Sequence, residues 1–437
     1  MEWPLFLLII GSSLLFLFLM GMPIALSFFA VIIVGAPMMW GLGPGMSQFI
    51  HSISDSLINF SLLPIPLYVL MGEVIFNSKI APDMIDALDK WIGRLPGRLS
   101  LMAVGAGTLF ATLTGTSIAS TAMLGRSLVP EMEKKGYQKS MSIGPILGSG
   151  GLAIMIPPST LAVLMCAVGE ISIGQTLIAI TTPGVMMAFL YGGYIILRSV
   201  FKPSLAPAYS VEHSTLSEKL TAFAKYILPV GFIIFMVVGV IYVGIATPTE
   251  AAATGALGCF LFSLLHGRLS FDVINKSMTG TVKVTAMVYL IVAGSDLFSQ
   301  MLAYSGVVNG LSEIALGFPE HRVLVFIAMQ LIVFLLGMFM NSLSIMMITL
   351  PIFMPVVQVL EFNPVWFGVM YLINIETGAI TPPFGLALFV MKGVAPKDTT
   401  MADIWLAAVP YILLNILAIV LIYIFPQIAM WFVMTMH

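Results

Sequence analysis

Charged residues are scarce in this 437-residue chain, because Lys, Arg, Asp and Glu together make up only 9% of it. Soluble domains carry about 25% charged residues. Hydrophobic residues make up 59% of the chain, and the mean hydropathy is +1.06. The composition therefore excludes a soluble protein and predicts a polytopic membrane protein. The net charge of −2 and the lack of a basic patch give no support to nucleic-acid binding.

Three further absences narrow the possible functions. The chain has two cysteines, Cys166 and Cys259, both in apolar stretches, so neither a disulfide framework nor a cysteine metal site is expected. The N-terminus, "MEWPLFLLII", has an acid and no basic residue, which argues against a cleaved signal peptide. No G-x-x-x-x-G-K-[ST] loop occurs, so ATP is not expected to supply the energy for any transport.

Apolar stretches of about 20 residues mark the predicted membrane spans. These spans lie near residues 4–21, 23–41, 61–78, 139–170, 174–200, 222–245, 248–266, 281–300, 365–392 and 404–434. The stretches 98–132 and 322–359 are too long for one crossing, and each has a small polar cluster near its centre. Residues 80–95 and 303–318 are shorter and amphipathic, so they are expected to lie along the membrane interface.

Basic residues set the predicted orientation, because cytoplasmic loops collect Lys and Arg. None precedes Lys79, whereas eight lie from Lys79 to Lys139. Both ends of segment 98–132 are basic, which predicts a re-entrant hairpin that enters from the cytoplasm. The ends of segment 322–359 have almost no positive charge beyond Arg322, so this segment is predicted to enter from the opposite side.

The two halves of the chain repeat at a spacing of about 225 residues. This spacing aligns Pro157-Pro158 with Pro382-Pro383, Pro130 with Pro355, and Ser117 with Ser342. Matching element order with opposite charge at the hairpin ends predicts an inverted-topology repeat. Interrupted segments at corresponding places in two halves mark the midplane binding site of a transporter.

The repeat gives the predicted domain organisation. The first repeat is 1–200, with scaffold spans in 1–96, a cytoplasmic-side hairpin at 97–134, a broken helix at 139–170 and a span at 174–200. A cytoplasmic linker follows at 201–219. The second repeat is 220–437, with scaffold spans in 220–318, a periplasmic-side hairpin at 320–360, a broken helix at 365–392 and a span at 404–434. Residues 97–200 and 320–437 are expected to contain a moving transport domain.

The segment "GLAIMIPPST" (151–160) explains why a helix breaks inside the membrane. Adjacent prolines remove two backbone donors and force the preceding residue out of helical geometry. Irregular backbone at membrane depth persists only where protein or a water-filled cavity receives it. Free carbonyls at the end of the first half-helix suit a small hard cation such as Na⁺, and the positive end of the second half-helix suits an anion.

The hairpin tips and the breaks supply the candidate ligands, because short hydroxyl and amide groups bind a cation or a carboxylate without adding charge. The candidate sodium-binding residues are Thr114, Gly115, Thr116, Ser117, Met155, Pro157, Met340, Asn341, Ser342, Gly378 and Thr381. The candidate substrate-binding residues are Ser117, Pro158, Ser159, Thr160, Ser342, Pro382 and Pro383. Two breaks predict two or more sodium ions and no other metal. Small residues at such tips also serve helix packing, but their recurrence at matched positions favours binding.

Four charged residues lie within or beside the spans, where an ionisable group is a functional candidate. Glu376 precedes the second proline pair and is expected either to orient the broken backbone or add negative potential, or to pack between helices as a protonated or hydrogen-bonded acid. Glu73 and Asp296 occupy nearly matched places, which favours a hinge or an interhelical pairing role. Arg126 either meets a substrate carboxylate or extends toward the cytoplasm.

The chain resembles a known family in five motifs: "GRLPG", "LTGTSIAS", "GLAIMIPPS", "GMFMNS" with "PIFMPVV", and "INIETGAITPPFGLALFV". These motifs are similar to those of the DctM large membrane subunit of the tripartite ATP-independent periplasmic (TRAP) transporters. The resemblance covers essentially the whole chain. It departs from the family at Asn341, where many relatives are expected to carry an acid.

The resemblance implies an all-α elevator-type transporter of the ion-transporter superfamily, in the bacterial inner membrane. It implies sodium-coupled uptake of an organic anion such as a C4-dicarboxylate or sialic acid. A periplasmic substrate-binding protein would deliver the anion, and a small four-helix membrane subunit, expected as a separate chain, would complete the complex.

Three alternatives are open. A sodium/carboxylate symporter of the same superfamily would work without a binding protein. A passive channel would keep the sodium sites but show no saturable uptake. An intramembrane enzyme would need a general base beside Ser117, yet all five histidines lie at span ends, in loops or at the terminus. The chain is therefore not expected to be an enzyme.

Overall fold

A computed structural model describes residues 2–92, 95–114, 117–207, 215–317 and 322–436 of the chain. Within these ranges the chain is helical throughout, with short loops and no β-strand. Six helices are long and apolar enough to cross a membrane: Ile173–Phe201, Leu216–Tyr242, Pro248–Leu265, Phe271–Tyr304, Ser342–Val359 and Met401–Ile424. The predicted all-α polytopic fold is confirmed.

The first half of the chain contains ten described α-helices. They are α1 (Trp3–Leu19), α2 (Ile24–Trp40), α3 (Leu42–Ile58), α4 (Pro64–Asn77), α5 (Ala81–Ile92), α6 (Arg98–Thr114), α7 (Ser117–Lys134), α8 (Lys139–Met155), α9 (Thr160–Gly169) and α10 (Ile173–Phe201). A 3₁₀ turn, Phe60–Leu62, separates α3 from α4.

The second half contains eleven described α-helices. They are α11 (Leu216–Ala222), α12 (Leu228–Tyr242), α13 (Pro248–Leu265), α14 (Phe271–Tyr304), α15 (Val307–Leu316), α16 (Arg322–Gly337), α17 (Ser342–Val359), α18 (Pro364–Ala379), α19 (Leu386–Val394), α20 (Met401–Ile424) and α21 (Gln427–Met434). A π-helical turn, Phe223–Ile227, joins α11 to α12.

Both predicted helix breaks are present. The first break is the four-residue gap between α8 and α9, residues 156–159, and the second is the gap between α18 and α19, residues 380–385. Each contains its proline pair, and both Pro-Pro peptide bonds are cis. Helices α6 and α7 form the first hairpin, and α16 and α17 form the second; the two helices of each hairpin pack against each other.

Three elements differ from the spans expected from hydropathy. Helix α3 (Leu42–Ile58) was not expected, because its sequence mixes Ser, Gln, His and Asp with apolar residues. The span expected at 281–300 is part of α14, which is 34 residues long. The repeat explains this length, because a spacing of 225 places Pro64, which begins α4, at Tyr289, where nothing interrupts the helix. The span expected at 404–434 is divided after α20, at Pro426.

The halves pack in a crossed pattern. Helix α6 packs on α8 and α16 packs on α18, whereas α7 packs on α19 and α17 packs on α9, so each hairpin has one arm against each broken helix. The early helices cross in the same way, with α4 on α13 and α14 on α2. An internal two-fold repeat produces such reciprocal pairs, because each element meets the equivalent elements of the other half. The predicted division into scaffold and transport domain stays a prediction.

The loops predicted to be cytoplasmic contact one another at one end of the bundle. Arg268 donates to Asp83 at 3.2 Å, Lys139 donates to Asp398 at 2.9 Å, and the Trp91 indole donates to the Lys219 carbonyl at 2.9 Å. The hydrogen bond from Lys139 lowers the pKa of the Asp398 carboxyl. These contacts join loops of the first half to loops of the second half that are predicted to lie on the same side of the membrane.

The two acids of the early helices form interhelical contacts. Ser56 on α3 donates to the Asp296 carboxylate on α14 at 2.7 Å. Glu73 on α4 accepts from Asn77 at 2.9 Å, and its carboxylate lies against Gly280 of α14. Both acids are half-buried and contact another helix, and the hinge or interhelical role of Glu73 and Asp296 stays a prediction.

Candidate functional site

The two hairpin tips meet at one carboxylate. Ser342 is the first residue of α17, and its hydroxyl donates to Glu376 Oε1 on α18 at 3.1 Å. Ser117 is the first residue of α7, and its side chain hydrogen-bonds to the same carboxylate. Only 3% of Glu376 is exposed. We call Ser117 and Ser342 the tip serines; the repeat aligns them, and Glu376 joins them.

Two glycines of α8 pack against the residues that meet at Glu376. A Cβ atom at Gly150 would lie 3.3 Å from both Ser117 Cβ and Thr121 Oγ1, and one at Gly151 would lie 3.6 Å from Glu376 Cβ. A Cβ atom at Gly150 would therefore crowd the start of α7, whereas one at Gly151 would be in ordinary van der Waals contact with Glu376. The glycine-rich sequence before the first break lets three helices converge on the tip serines.

Two buried hydroxyls near the first tip were not among the predicted ligands. Ser120 and Thr121 lie in the first turns of α7 and are each 1% exposed. Neither hydroxyl has a hydrogen-bond partner within the described ranges. A buried polar group without a partner is unusual and requires an explanation. The signal was present in the sequence, because Ser120 ends the "LTGTSIAS" motif and Thr121 follows it directly.

The first break lies deep in the protein. Pro157 and Pro158 are buried, and the Met155 carbonyl oxygen lies against α10, where a Cβ atom at Gly184 would approach it to 2.4 Å. Ser159 caps α9 by accepting a hydrogen bond from the Ala162 backbone N–H at 3.2 Å. The oxygen of Ser159 is therefore already used in helix capping. Thr160, the first residue of α9, is half-buried.

The second break is more open. Pro382 is half-buried, Pro383 is exposed and Phe384 is 51% exposed. Thr381 is buried and donates to the Thr377 carbonyl at 2.6 Å, while its own carbonyl accepts from the backbone N–H of Gly385 at 3.0 Å.

Gly378, a candidate sodium residue of α18, is a point of helix contact. A Cβ atom at this position would lie 2.6 Å from the Cα atom of Gly337 in α16. The carbonyl of Gly378 accepts from the Thr381 N–H at 3.0 Å.

At the second tip, Asn341 acts as a helix cap. Its side-chain oxygen accepts from the Ser344 backbone N–H at 3.0 Å, which is the usual role of Asn at this position. Asn341 is exposed, whereas Met340 is buried at 7% exposure. The described geometry thus points the amide oxygen of Asn341 at its own helix.

Four other predicted site residues are either not described in detail or lie away from the junction at Glu376. Gly115 and Thr116 lie outside the described residues, and Thr114 is described only as the last residue of α6. Arg126 lies on an exposed face of α7. It is nine residues beyond Ser117, or about 13 Å along the helix axis. This position favours extension toward the membrane surface over contact with the tip.

Among the residues that the structure describes at the tips, the donors are oxygens: serine and threonine hydroxyls, main-chain carbonyls and one carboxylate. Oxygen ligands suit hard cations. Among the described residues, no three His, Cys, Asp or Glu side chains cluster as a metal site. These oxygen donors suit a hard cation better than a transition metal.

Comparison with known proteins identifies the family. The family model of the tripartite ATP-independent periplasmic transporter, DctM component, matches residues 12–428. The chain belongs to this family. It is therefore the large permease subunit of a TRAP transporter, a protein of the bacterial inner membrane.

Two curated relatives match over nearly their whole length. The chain is 27% identical to the ectoine TRAP transporter large permease protein TeaC of Halomonas elongata over 425 residues, which cover 97% of this chain and 98% of that protein. It is 29% identical to the C4-dicarboxylate TRAP transporter large permease protein DctM of Rhodobacter capsulatus over 442 residues, with 97% and 98% coverage. Both relatives are transporter subunits, which agrees with the expectation that this chain is not an enzyme.

Among solved structures, the fold is similar to the YdaH transporter of Alcanivorax borkumensis. The TM-score is 0.59 at 14% sequence identity, and the match covers 89% of this chain and 90% of that chain. This likeness supports the transporter fold alone.

Proposed function

We propose that this DctM component carries out sodium-coupled uptake of a small organic anion by an elevator mechanism. The observation that carries the proposal is the meeting of both tip serines at Glu376, between two breaks related by the repeat. Paired interrupted segments of this kind hold the substrate and the coupling ion in other secondary transporters.

The proposed cation binding rests on buried oxygen atoms that can accept a further ligand. The hydroxyl groups of Ser120 and Thr121 are buried and have no partner among the described residues, so they are free to bind a cation that enters at the first tip. At the second tip, Ser342 supplies a hydroxyl beside the Glu376 carboxylate. A single positive charge offsets the electrostatic cost of a carboxylate in low dielectric. We propose two or more sodium ions for each cycle.

The anion side rests on the starts of α9 and α19. The N-terminus of a helix has unpaired N–H groups and a partial positive charge, both of which favour a carboxylate. Pro158, Thr160 and Pro383 lie at these starts and are proposed to contact the substrate. The substrate class is a C4-dicarboxylate, sialic acid or a similar carboxylate; the C4-dicarboxylate permease of Rhodobacter capsulatus supports the first of these.

The elevator motion is supported by a difference between the two breaks. Helices α9 and α17 pack on the early helices α4, α14 and α15, whereas α7 packs mainly on α8, α6 and α19, and α19 packs mainly on α7 and α20. The first proline pair is buried, while Pro383 of the second pair is exposed. Helices α7 and α19 lead to the basic, cytoplasmic end, so this arrangement corresponds to an opening toward the cytoplasm. Movement of the hairpins and the broken helices past α4 and α14 would close this cytoplasmic opening and open the site toward the periplasm.

The partners follow from the family. A periplasmic substrate-binding protein would deliver the anion, and a small four-helix membrane subunit would complete the transporter. The main competing proposal is a symporter that needs no binding protein.

The test is uptake into proteoliposomes that contain this chain with the small subunit and the binding protein encoded beside it. A panel of labelled C4-dicarboxylates and sialic acid would be supplied with an inward sodium gradient or with an equal potassium gradient. We expect saturable uptake of one anion with sodium and at least tenfold less with potassium. Only a transport domain that holds both sodium and substrate has its buried charges neutralised, so only this loaded domain crosses the low-dielectric membrane.

The omission of single components separates the alternatives. Uptake by this chain without the binding protein would favour the independent symporter. Equal uptake with sodium and potassium would contradict sodium coupling, and uptake that does not saturate would indicate a channel.

A further inference from the structure

Glu376 has no equivalent in the first repeat. The spacing of 225 residues that aligns Ser117 with Ser342 places Gly151 opposite Glu376. The two equivalent positions face each other, because a Cβ atom on Gly151 would lie 3.6 Å from Glu376 Cβ. A pair of acids at these positions would put two like charges in contact. One glycine and one acid leave a single carboxylate near the centre of the two repeats.

This single carboxylate serves both hairpins. It accepts a hydrogen bond from Ser342 at 3.1 Å and is also hydrogen-bonded by Ser117. The helices that begin at these serines otherwise have different main partners, since α7 packs on α8, α6 and α19, and α17 packs on α9, α14 and α15. Both helices also present their positive ends to the carboxylate, which stabilises its negative charge.

We propose that Glu376 is a positioning residue that couples the two hairpin tips, so that a change at one tip serine alters the order of the other tip. A carboxylate has two oxygens and about four acceptor sites, so one group can hold both hydroxyls. When one hydroxyl leaves, the charge is shared among fewer donors and its hydrogen bond to the other tip strengthens. The tips therefore respond as a unit. The linkage itself does not depend on the transported ion, but its use in transport rests on the proposed function.

The direct test is hydrogen–deuterium exchange in the purified chain, measured without added ligand. The Ser342→Ala variant removes one donor from Glu376. We expect the amide exchange rate in peptides covering residues 113–124, at the other tip, to change by about threefold or more. A change of this size corresponds to a partial change in the strength of one hydrogen bond to a charged group. The Ser117→Ala variant is expected to change exchange at residues 338–346 in the same way.

The Glu376→Gln background makes this test specific. Gln preserves the side-chain volume and one hydrogen bond but removes the charge that both serines share, so the cross-effects are expected to disappear. Asn374→Ala is the matched control on the same helix. Asn374 is buried and donates to the Gln330 side chain of α16 at 2.8 Å, so its loss should affect α16 and leave residues 113–124 unchanged. Cross-effects that persist in Glu376→Gln, or that are absent from the wild-type background, would overturn the proposal.

Sodium binding gives a second measurement that separates this inference from the proposed function. Thermal stability would be followed as NaCl replaces KCl at constant ionic strength. Coupled tips predict a sodium response with a Hill coefficient different from one for the wild type and a value near one for Glu376→Gln. An identical sodium response in both proteins would contradict the coupling. A wild type that does not distinguish NaCl from KCl would refute the proposed sodium dependence, and the exchange measurement would still decide whether Glu376 links the tips.

Discussion

Replacing Gly184 by alanine is expected to reduce uptake at least tenfold. A Cβ atom at this position of α10 would lie 2.4 Å from the carbonyl oxygen of Met155 and 3.0 Å from its carbonyl carbon, at the first break. Backbone atoms cannot rotate away as a side chain does, so the end of α8 must shift. Overpacking of this kind costs about 1–3 kcal/mol and displaces the atoms involved. The measurement is sodium-driven uptake in the reconstituted complex, with protein amount determined in parallel.

The control is Gly193→Ala on the same helix. No atom lies within 4 Å of the Cβ position at Gly193, and alanine favours a helix by about 1 kcal/mol over glycine. We expect wild-type uptake and equal or higher stability. If Gly184→Ala and Gly193→Ala behave alike, the close approach of α10 to the first break has no part in transport.

Gly378→Ala is expected to cause a similarly large loss at the second break. Its Cβ atom would lie 2.6 Å from the Cα atom of Gly337 and 3.0 Å from the Phe334 carbonyl oxygen. Helices α16 and α18 would separate, which moves Glu376 away from Ser342 because these residues lie on α18 and at the start of α17. We expect uptake below about one tenth of wild type and a higher sodium concentration for half-maximal rate.

Gly368→Ala tests the same helix at a tolerant position. The Cβ atom at Gly368 would lie 2.6 Å from Met165 Cε, the free end of a flexible side chain that can adopt another rotamer. Uptake is expected to stay within about twofold of wild type. Normal sodium affinity in Gly378→Ala would show that the contact between α16 and α18 does not position Glu376 for sodium binding.

The breaks and the hairpins were predictable because their signals are local. Two adjacent prolines stop a helix whatever surrounds them, and the repeat spacing brings the second pair into register with the first. Both breaks lie at the predicted residues. Basic residues at both ends of a long apolar segment likewise indicate a hairpin without any knowledge of packing.

The features that the sequence did not reveal depend on contacts between distant helices. Helix α3 is partly polar because Ser56 bonds to Asp296 on α14, so it lacks the hydropathy of a span. Ser120 and Thr121 end and follow the "LTGTSIAS" motif, but only their burial without a partner in the described part of the chain distinguishes them from the other polar residues of α7. The junction at Glu376 needs α7, α8, α17 and α18 together, and no local pattern marks Gly151 as its counterpart. Asn341 was predicted as a ligand, but its capping role appears only with the start of α17.

The central claim is that the two hairpins enter the membrane from opposite sides, and cysteine labelling tests it most directly. Glu131, half-exposed near the end of the first hairpin, and Glu361, exposed just after the second, would each be replaced by cysteine. The native Cys166 and Cys259 are buried, which limits background labelling. A membrane-impermeant maleimide would be added to spheroplasts. We expect Glu361→Cys to react in intact spheroplasts and Glu131→Cys to react only after the spheroplast membrane is opened. Labelling of both from the same compartment would contradict the inverted repeat.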